Sequence, residues 1–284
     1  LLPVDAAKER GVAVNSQEQY LLYADHIQVD IGGHPIVKDI SLGIRPNEIL
    51  TIIGPNGSGK STLIKGMCRL LKLSSGSVTL GGCDLSTMSN NKIARRIAIL
   101  PQKKSLPPDI TVERLVQYGR APYAKFGGRL TGADFAIIEE MMHLTGVDRM
   151  RFRTVSTRSG GESQMAWIAM SLAQQPEILF LDEPTTFLDI SYQLAVLDLV
   201  KKIQQEQKIS VVMVLHDLNQ AAYYSDRIAV VKDGVLAAQG APEELYEAKL
   251  LRDIFRVETE KVSYNHGSAY YIPTKMVTEE QHHA

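Results

Sequence analysis

One stretch of eight residues limits what this chain can fold into more than any other. Gly54-Pro55-Asn56-Gly57-Ser58-Gly59-Lys60-Ser61 fits the pattern G-x-x-x-x-G-K-[ST]. The apolar run 48–53 precedes it, and a helical pattern follows from Lys60 to about Leu71. Glycines there let the backbone curl, so that successive N–H groups point inward at phosphate oxygens. The helix begun near Lys60 brings the positive end of its dipole to the same spot. Lys60 reaches the β- and γ-phosphates and Ser61 offers its hydroxyl to Mg²⁺. A glycine-rich turn holding nothing is the plainer alternative, and the placed Lys and Ser argue against it. Residues 54–62, Thr62 included, are the expected triphosphate contacts.

The rest of the pattern supplies a setting for that loop. Alternating apolar residues from Leu21 to Ile31, a Gly32-Gly33 turn and a second run at 36–44 predict a hairpin. Strands are expected at 77–80 and 97–100, and mainly helix from Pro101 to about Leu172, with amphipathic segments at 112–118 and 133–144. Short β-branched runs at 178–181, 210–215 and 228–231, separated by helices, predict a parallel sheet covered on both faces. Asp233-Gly234 is a hairpin turn into 235–239. Residues 1–19 read as a loose extension, and the polar last twenty or so have no clear place apart from Tyr270-Tyr271-Ile272.

Composition closes off several classes. With 284 residues, 31 Lys+Arg against 32 Asp+Glu and 44 % apolar residues, the chain is an ordinary globular one. It carries no surplus positive charge for a nucleic acid. The longest apolar stretch, 209–215, is far short of the ~20 residues that a membrane span requires. No signal-peptide core is seen near Asp5, Lys8, Glu9 and Arg10. Service to a membrane therefore needs a partner that supplies the spans. The two cysteines, Cys68 and Cys83, have no metal-ligand spacing and are expected to be buried small hydrophobes in a reducing compartment.

Four further groups point to the same chemistry. The strand 178–181 ends in Asp182 and Glu183: the first can hold Mg²⁺, the second can act as general base on water. His216 follows the strand 210–215, whose tip faces the same crevice, and can contact the γ-phosphate and orient Glu183. Gln102 sits where the chain leaves the strand 97–100 for the helical insert. Ser159-Gly160-Gly161-Glu162 opens a helix running to about Ala173, with a Ser cap and open N–H groups that suit an anion. If the insert turns Ser159 away from its own phosphate loop, that second anion site serves another copy of the chain.

Together these residues resemble the nucleotide-binding subunit of ABC transporters over about residues 21–250. In order stand the Walker A loop (54–61), Q-loop Gln102, signature 159–162, Walker B Asp182 with Glu183, D-loop Asp189 and switch His216. The resemblance implies an α/β fold: a P-loop NTPase (RecA-like) core with an antiparallel β subdomain and a helical insert subdomain. Residues 20–250 would be the ATPase domain, with the insert at about 103–172, preceded by the extension 1–19 and followed by a tail, 251–284. It further implies ATP and Mg²⁺ as cofactors, Ser61, Gln102 and Asp182 around the metal, and Glu183, His216 and Gln102 in catalysis. The implied partners are a second copy in a head-to-tail dimer, membrane permease subunits meeting residues 102–120, and indirectly an extracytoplasmic solute-binding protein. The implied place is peripheral, on the cytoplasmic face of the membrane.

Finer likeness is to ATPases of iron(III)-siderophore, haem and cobalamin importers. It rests on Tyr118-Gly119-Arg120-Ala121-Pro122-Tyr123, Ala166-Trp167-Ile168-Ala169-Met170, Thr185-Thr186-Phe187-Leu188-Asp189 and 215–221. Siderophore import is the favoured reading, with haem, cobalamin or metal-ion import as alternatives. Two sites depart from the family pattern: in the signature Arg158 stands where Leu is usual and Ser163 and Met165 where Arg is common, and Ile31 stands where an aromatic ring often stacks on adenine. Arg158 is the best support for a different class, a nucleotide-gated scaffold with little hydrolysis. A soluble mechanical ATPase is disfavoured, because the chain has no coiled-coil arms.

Overall fold

The computed structural model describes residues 19–105, 107, 109–125, 127–157, 159–263 and 269–277. The proposed extension 1–19 (save Gln19), Arg158 and His282-His283 lie outside them. A six-stranded sheet forms the centre, built from β3 (Ile49–Ile53), β6 (Ile97–Leu100), β7 (Ile178–Asp182), β8 (Ser210–Val214), β9 (Arg227–Lys232) and β10 (Val235–Gly240). Its order is β10-β9-β3-β8-β7-β6, parallel throughout except for the β9–β10 hairpin.

Alternation along these strands divides the core into two layers. Ile49, Ile53, Leu179, Leu181, Val211 and Met213 face the helices, whereas Leu50, Ile52, Phe180, Val212 and Val214 face the antiparallel sheet. Both sides of β3, β7, β8 and β9 are buried, which is why those runs read as nearly unbroken apolar stretches. Burying each such large side chain contributes roughly 1.5–3 kcal/mol. The second layer is the four-stranded antiparallel sheet β2-β1-β4-β5, made of β1 (Leu22–Ile31), β2 (His34–Ile44), β4 (Ser75–Leu80) and β5 (Cys83–Asp84). Helix α1 (Lys60–Met67) lies between the two sheets, with Leu63, Ile64 and Met67 in their shared core. The short helix α2 (Asn90–Ala94) leads into β6.

The helical layer holds α3 (Val112–Tyr118), α4 (Gly132–Leu144) and α5 (Gly160–Ala173). Helix α6 (Ile190–Gln207) then joins β7 to β8, α7 (Leu218–Tyr224) joins β8 to β9, and α8 (Pro242–Leu245) and α9 (Ala248–Phe255) close the core. Arg120 fastens the helical layer from inside. It donates to Asp134 at 2.9 Å, to the Ala173 carbonyl and to Gln175, and its guanidinium lies 3.8 Å from the Tyr123 ring centroid. Thr131, by donating two hydrogen bonds to Asp134, joins Arg120 in holding that carboxyl below the usual range.

Four sequence expectations are corrected. Helix α1 stops at Met67, not near Leu71, because Arg69 turns left-handed (φ 58°) and the Leu70 and Leu71 N–H groups bond back to the Lys65 carbonyl. Cys68 is buried, and burial pushes its thiol well up, but Cys83 is exposed because β5 is a two-residue edge strand. The stretch 101–172 is helical only in α3, α4 and α5, with single 3₁₀ turns and loops between them. The polar C-terminal segment contains a hairpin, β11 (Val257–Ser263) with β12 (Ala269–Met276). Its Tyr271 is buried against Tyr246, and the Asn219 side chain holds the Tyr271 backbone through both N–H and C=O.

Arg120→Ala leaves the buried Asp134 carboxylate with its Thr131 hydrogen bonds but without its cationic partner, so it is expected to destabilise the protein by up to about 3 kcal/mol. Thermal or urea unfolding checks this, and an unchanged midpoint would remove Arg120 from its fastening role.

Candidate functional site

Parallel pairing sets the site. In β6, β7, β8 and β3 the residues Leu100, Leu181, Met213 and Thr51 stand side by side in one row. Two residues beyond that row come Gln102 and Glu183, and three beyond it come His216 and Gly54. Adjacent strands lie about 4.8 Å apart, so these residues emerge together on one edge of the sheet.

The loop after β3 wraps tightly. Gly54 has φ 153°, and a β-carbon there would lie 2.0 Å from the Val231 carbonyl oxygen, so only glycine fits. The Lys60 ammonium is buried and donates to the Gly54 and Pro55 carbonyls, each at 2.9 Å. Burial lowers its pKa, opposed by the charges of Glu183 and Asp182. Among the described residues the buried Ser58 hydroxyl has no hydrogen-bond partner, which makes it an orphaned donor within the loop. Ser61 Oγ donates to Asp182 Oδ1 at 2.8 Å. Burial raises the Asp182 pKa, with Glu183 adding to it and Ser61, Lys65 and Lys60 opposing it.

Glu183 is the most constrained side chain of the set. It has left-handed backbone (φ 54°), a conformation that costs a non-glycine residue on the order of 1–3 kcal/mol. One carboxylate oxygen accepts from Gln102 Nε2 at 2.5 Å and from Thr186 Oγ1 at 3.1 Å; the other lies 2.8 Å from His216 Nε2. Three side chains from three chain segments thus fix one carboxylate. Thr186 was not singled out by sequence for this contact, although it stands three residues on, in the turn that Glu183 begins.

The second anion site expected from the sequence is a helix start. Ser159 caps α5 by accepting from the Glu162 N–H, while Glu162 accepts from the Ser159 N–H. Gly160 faces Leu188 and the Phe187 carbonyl, and a β-carbon on Gly161 would meet the Tyr192 ring at 2.1 Å. Asp189 caps α6 by accepting from the Tyr192 N–H at 3.0 Å, and this bond and one from Ser191 lower its pKa. Ile31 ends β1 half-exposed, opposite His34. Lys104, just past Gln102, donates to the buried Gln164 of α5, and burial pushes its pKa down to about 8. A cavity of about 470 Å³ lies elsewhere, at the far end of α1, and none of the expected site residues lines it.

Residues 37–186 match the ABC transporter family. The chain is 44 % identical to the petrobactin import ATP-binding protein FpuC of Bacillus anthracis, over 79 % of this chain and 82 % of that protein. It is 39 % identical to the iron(3+)-hydroxamate import ATP-binding protein FhuC of Bacillus subtilis, over 85 % and 90 %. A dimeric bacterial ABC transporter cassette superposes with a TM-score of 0.69 at 26 % identity, over 78 % of this chain and 98 % of that one.

Ser58→Ala separates a phosphate contact from a packing role. Deleting an unsatisfied buried hydroxyl is expected to leave the unfolding midpoint level or higher, while triphosphate affinity falls about three- to tenfold, the worth of one hydrogen bond. Equilibrium binding and thermal unfolding of the variant check the pair, and unchanged affinity would take Ser58 out of the site.

Proposed function

We infer the function from a fixed premise: this chain belongs to the ABC transporter family. It is the ATP-hydrolysing subunit of an importer and energises uptake of an iron(III)-siderophore-type chelate through a separate membrane permease. The observation that carries the enzymatic part is the clamped Glu183 carboxylate beside the Ser61–Asp182 pair. The siderophore part is supported by kinship with the petrobactin and hydroxamate import proteins.

Residues 54–59 hold the phosphates on backbone N–H groups, Ser58 turns its orphaned hydroxyl to them, and Lys60 moves from its carbonyl partners to the β- and γ-phosphates. An anionic ligand beside Lys60 offsets the burial that now disfavours its charge. Ser61 and Asp182, with Gln102 through water, would hold Mg²⁺, and Ile31 would pack on the adenine. The fit is good: Mg²⁺ favours one or two protein oxygens completed by phosphate and water, and Ser61 and Asp182 offer two adjacent oxygens. When bound, the ion neutralises charge on the phosphate oxygens. Glu183 accepts a proton from water as that water attacks the γ-phosphorus in line; the bond to the bridging oxygen breaks, leaving ADP and phosphate. His216 and Gln102 orient that carboxylate.

Residues 159–161 complete the site of a second copy in a head-to-tail dimer, with Glu162 fixing the helix start and Asp189 at the joint between sites. The solved dimeric cassette supports this arrangement. The ATPase domain spans 20–250, with the helical subdomain at about 103–172 and its 102–120 stretch toward the permease. Among the described residues no helix is long and apolar enough to cross a membrane, which suits a peripheral subunit on the cytoplasmic face, fed indirectly by an extracytoplasmic solute-binding protein.

Glu183→Gln keeps the shape and the Gln102 and His216 neighbours but cannot take a proton. Phosphate release is expected to fall by about 10²–10⁴-fold with ATP binding retained; substantial turnover in this variant would reassign the base. Turnover per chain should also drop on dilution as the dimer dissociates, and a rate per chain independent of concentration would sink the shared-site reading.

A further inference from the structure

We propose that Lys104 is a positioning residue that straps residues 101–105 to α5, so that Gln102 and the signature turn 159–161 shift as one unit. The proposal rests on the ATPase reading of the same site and adds a residue to it. Lys104 is half-buried, whereas its neighbour Lys103 is exposed. Its ammonium donates to the Gln164 side-chain oxygen and lies 5.8 Å from the centroid of the Trp167 ring. Gln164 and Trp167 are only 6 % and 9 % exposed.

The spacing gives the strap its direction. Gly160, Gln164 and Trp167 fall at i, i+4 and i+7 on α5, so Lys104 grips the helix face that continues into the signature turn. At the other end Gln102 donates to Glu183 at 2.5 Å. Only two residues of backbone, at most about 7 Å, separate Gln102 from Lys104. A short strut thus runs from the Glu183 carboxylate to the core of α5. The capping box of Ser159 and Glu162 makes the start of α5 a firm lever, since both ends of the turn are hydrogen-bonded.

The chemistry of the contact favours a placing role over a packing one. Drawing an ammonium out of water is costly unless acceptors replace the lost hydration. Here one amide oxygen and one indole face replace it. An apolar side chain of the same length would fill this space without that penalty. What the cation adds is direction, because its strongest bond is available only when Gln164 stands opposite.

The experiment compares the full-length chain with Lys104→Met, Lys104→Arg, Gln164→Leu and the Lys104→Met/Gln164→Leu double variant. ATP turnover is measured at protein concentrations that support the dimer, with thermal unfolding alongside. Trp167, the single tryptophan, reports local packing by its emission. Lys104→Met is expected to lower kcat about tenfold, the worth of one charge-assisted hydrogen bond, with KM for ATP within about twofold. Lys104→Arg should recover most of the rate, and the double variant should be no slower than the slower single variant. Unchanged kcat in Lys104→Met overturns the strap, as does a rise in KM matching the fall in kcat, or an Arg variant as slow as Met. If Lys104→Met does not fold, Gln164→Leu carries the same test from the other side. A wild-type chain with no turnover overturns the ATPase reading itself and the strap with it.

Discussion

The hydrogen-bond register of four parallel strands is the constraint on which this protein's chemistry depends. Because Leu100, Leu181, Met213 and Thr51 share a row, the residues that follow them leave the sheet at one level. Gln102, Glu183, His216 and the phosphate loop come from positions far apart in the chain, yet they need no long side chains to meet. A parallel sheet has all its carboxyl ends on one edge, and ligands bind there because the loops are free to differ while the strands are not. Moving one strand by a single residue would reverse which side chains face each layer and displace Gln102, Glu183 or His216 by about 3.3 Å.

On that edge the protein holds charges that its own interior disfavours. Burial pushes Lys60 down and Asp182 up, so each is drawn toward its neutral form. An anion beside the first and a cation beside the second would reverse both tendencies. Glu183 is held in place by its left-handed backbone and by three side-chain partners. Strain of this kind persists only when the surroundings over-determine the residue.

Polar groups fasten the helical layer in addition to the apolar core that it shares with the sheet. Arg120 gathers Asp134, Ala173, Gln175 and Tyr123, tying α3, α4 and the end of α5 to one buried guanidinium. The start of α5 meets the phosphate edge through the contact of Lys104 with Gln164 and through the packing of Gly160 and Gly161 on Leu188 and Tyr192.

Much of this was readable from the chain. The runs at 49–53, 178–182 and 210–214 are apolar on both faces, and that pattern alone marks buried parallel strands. The phosphate loop, Asp182, Glu183 and the Ser159 cap follow from local chemistry, since each depends on residues within a few positions of itself. What local pattern could not supply were partners distant in sequence. The place of His216 beside Glu183 was legible from the strand order, but nothing near Glu183 says that Gln102 will hold it, nothing near Arg69 says that α1 must end there, and the mixed polarity of 257–276 conceals a hairpin that Tyr271 anchors beside Tyr246. Sequence determined the elements and the chemical types, because propensity and periodicity act over a few residues. Only the tertiary structure decided which strand tips meet, since strand order and register arise from long-range pairing that no short segment encodes.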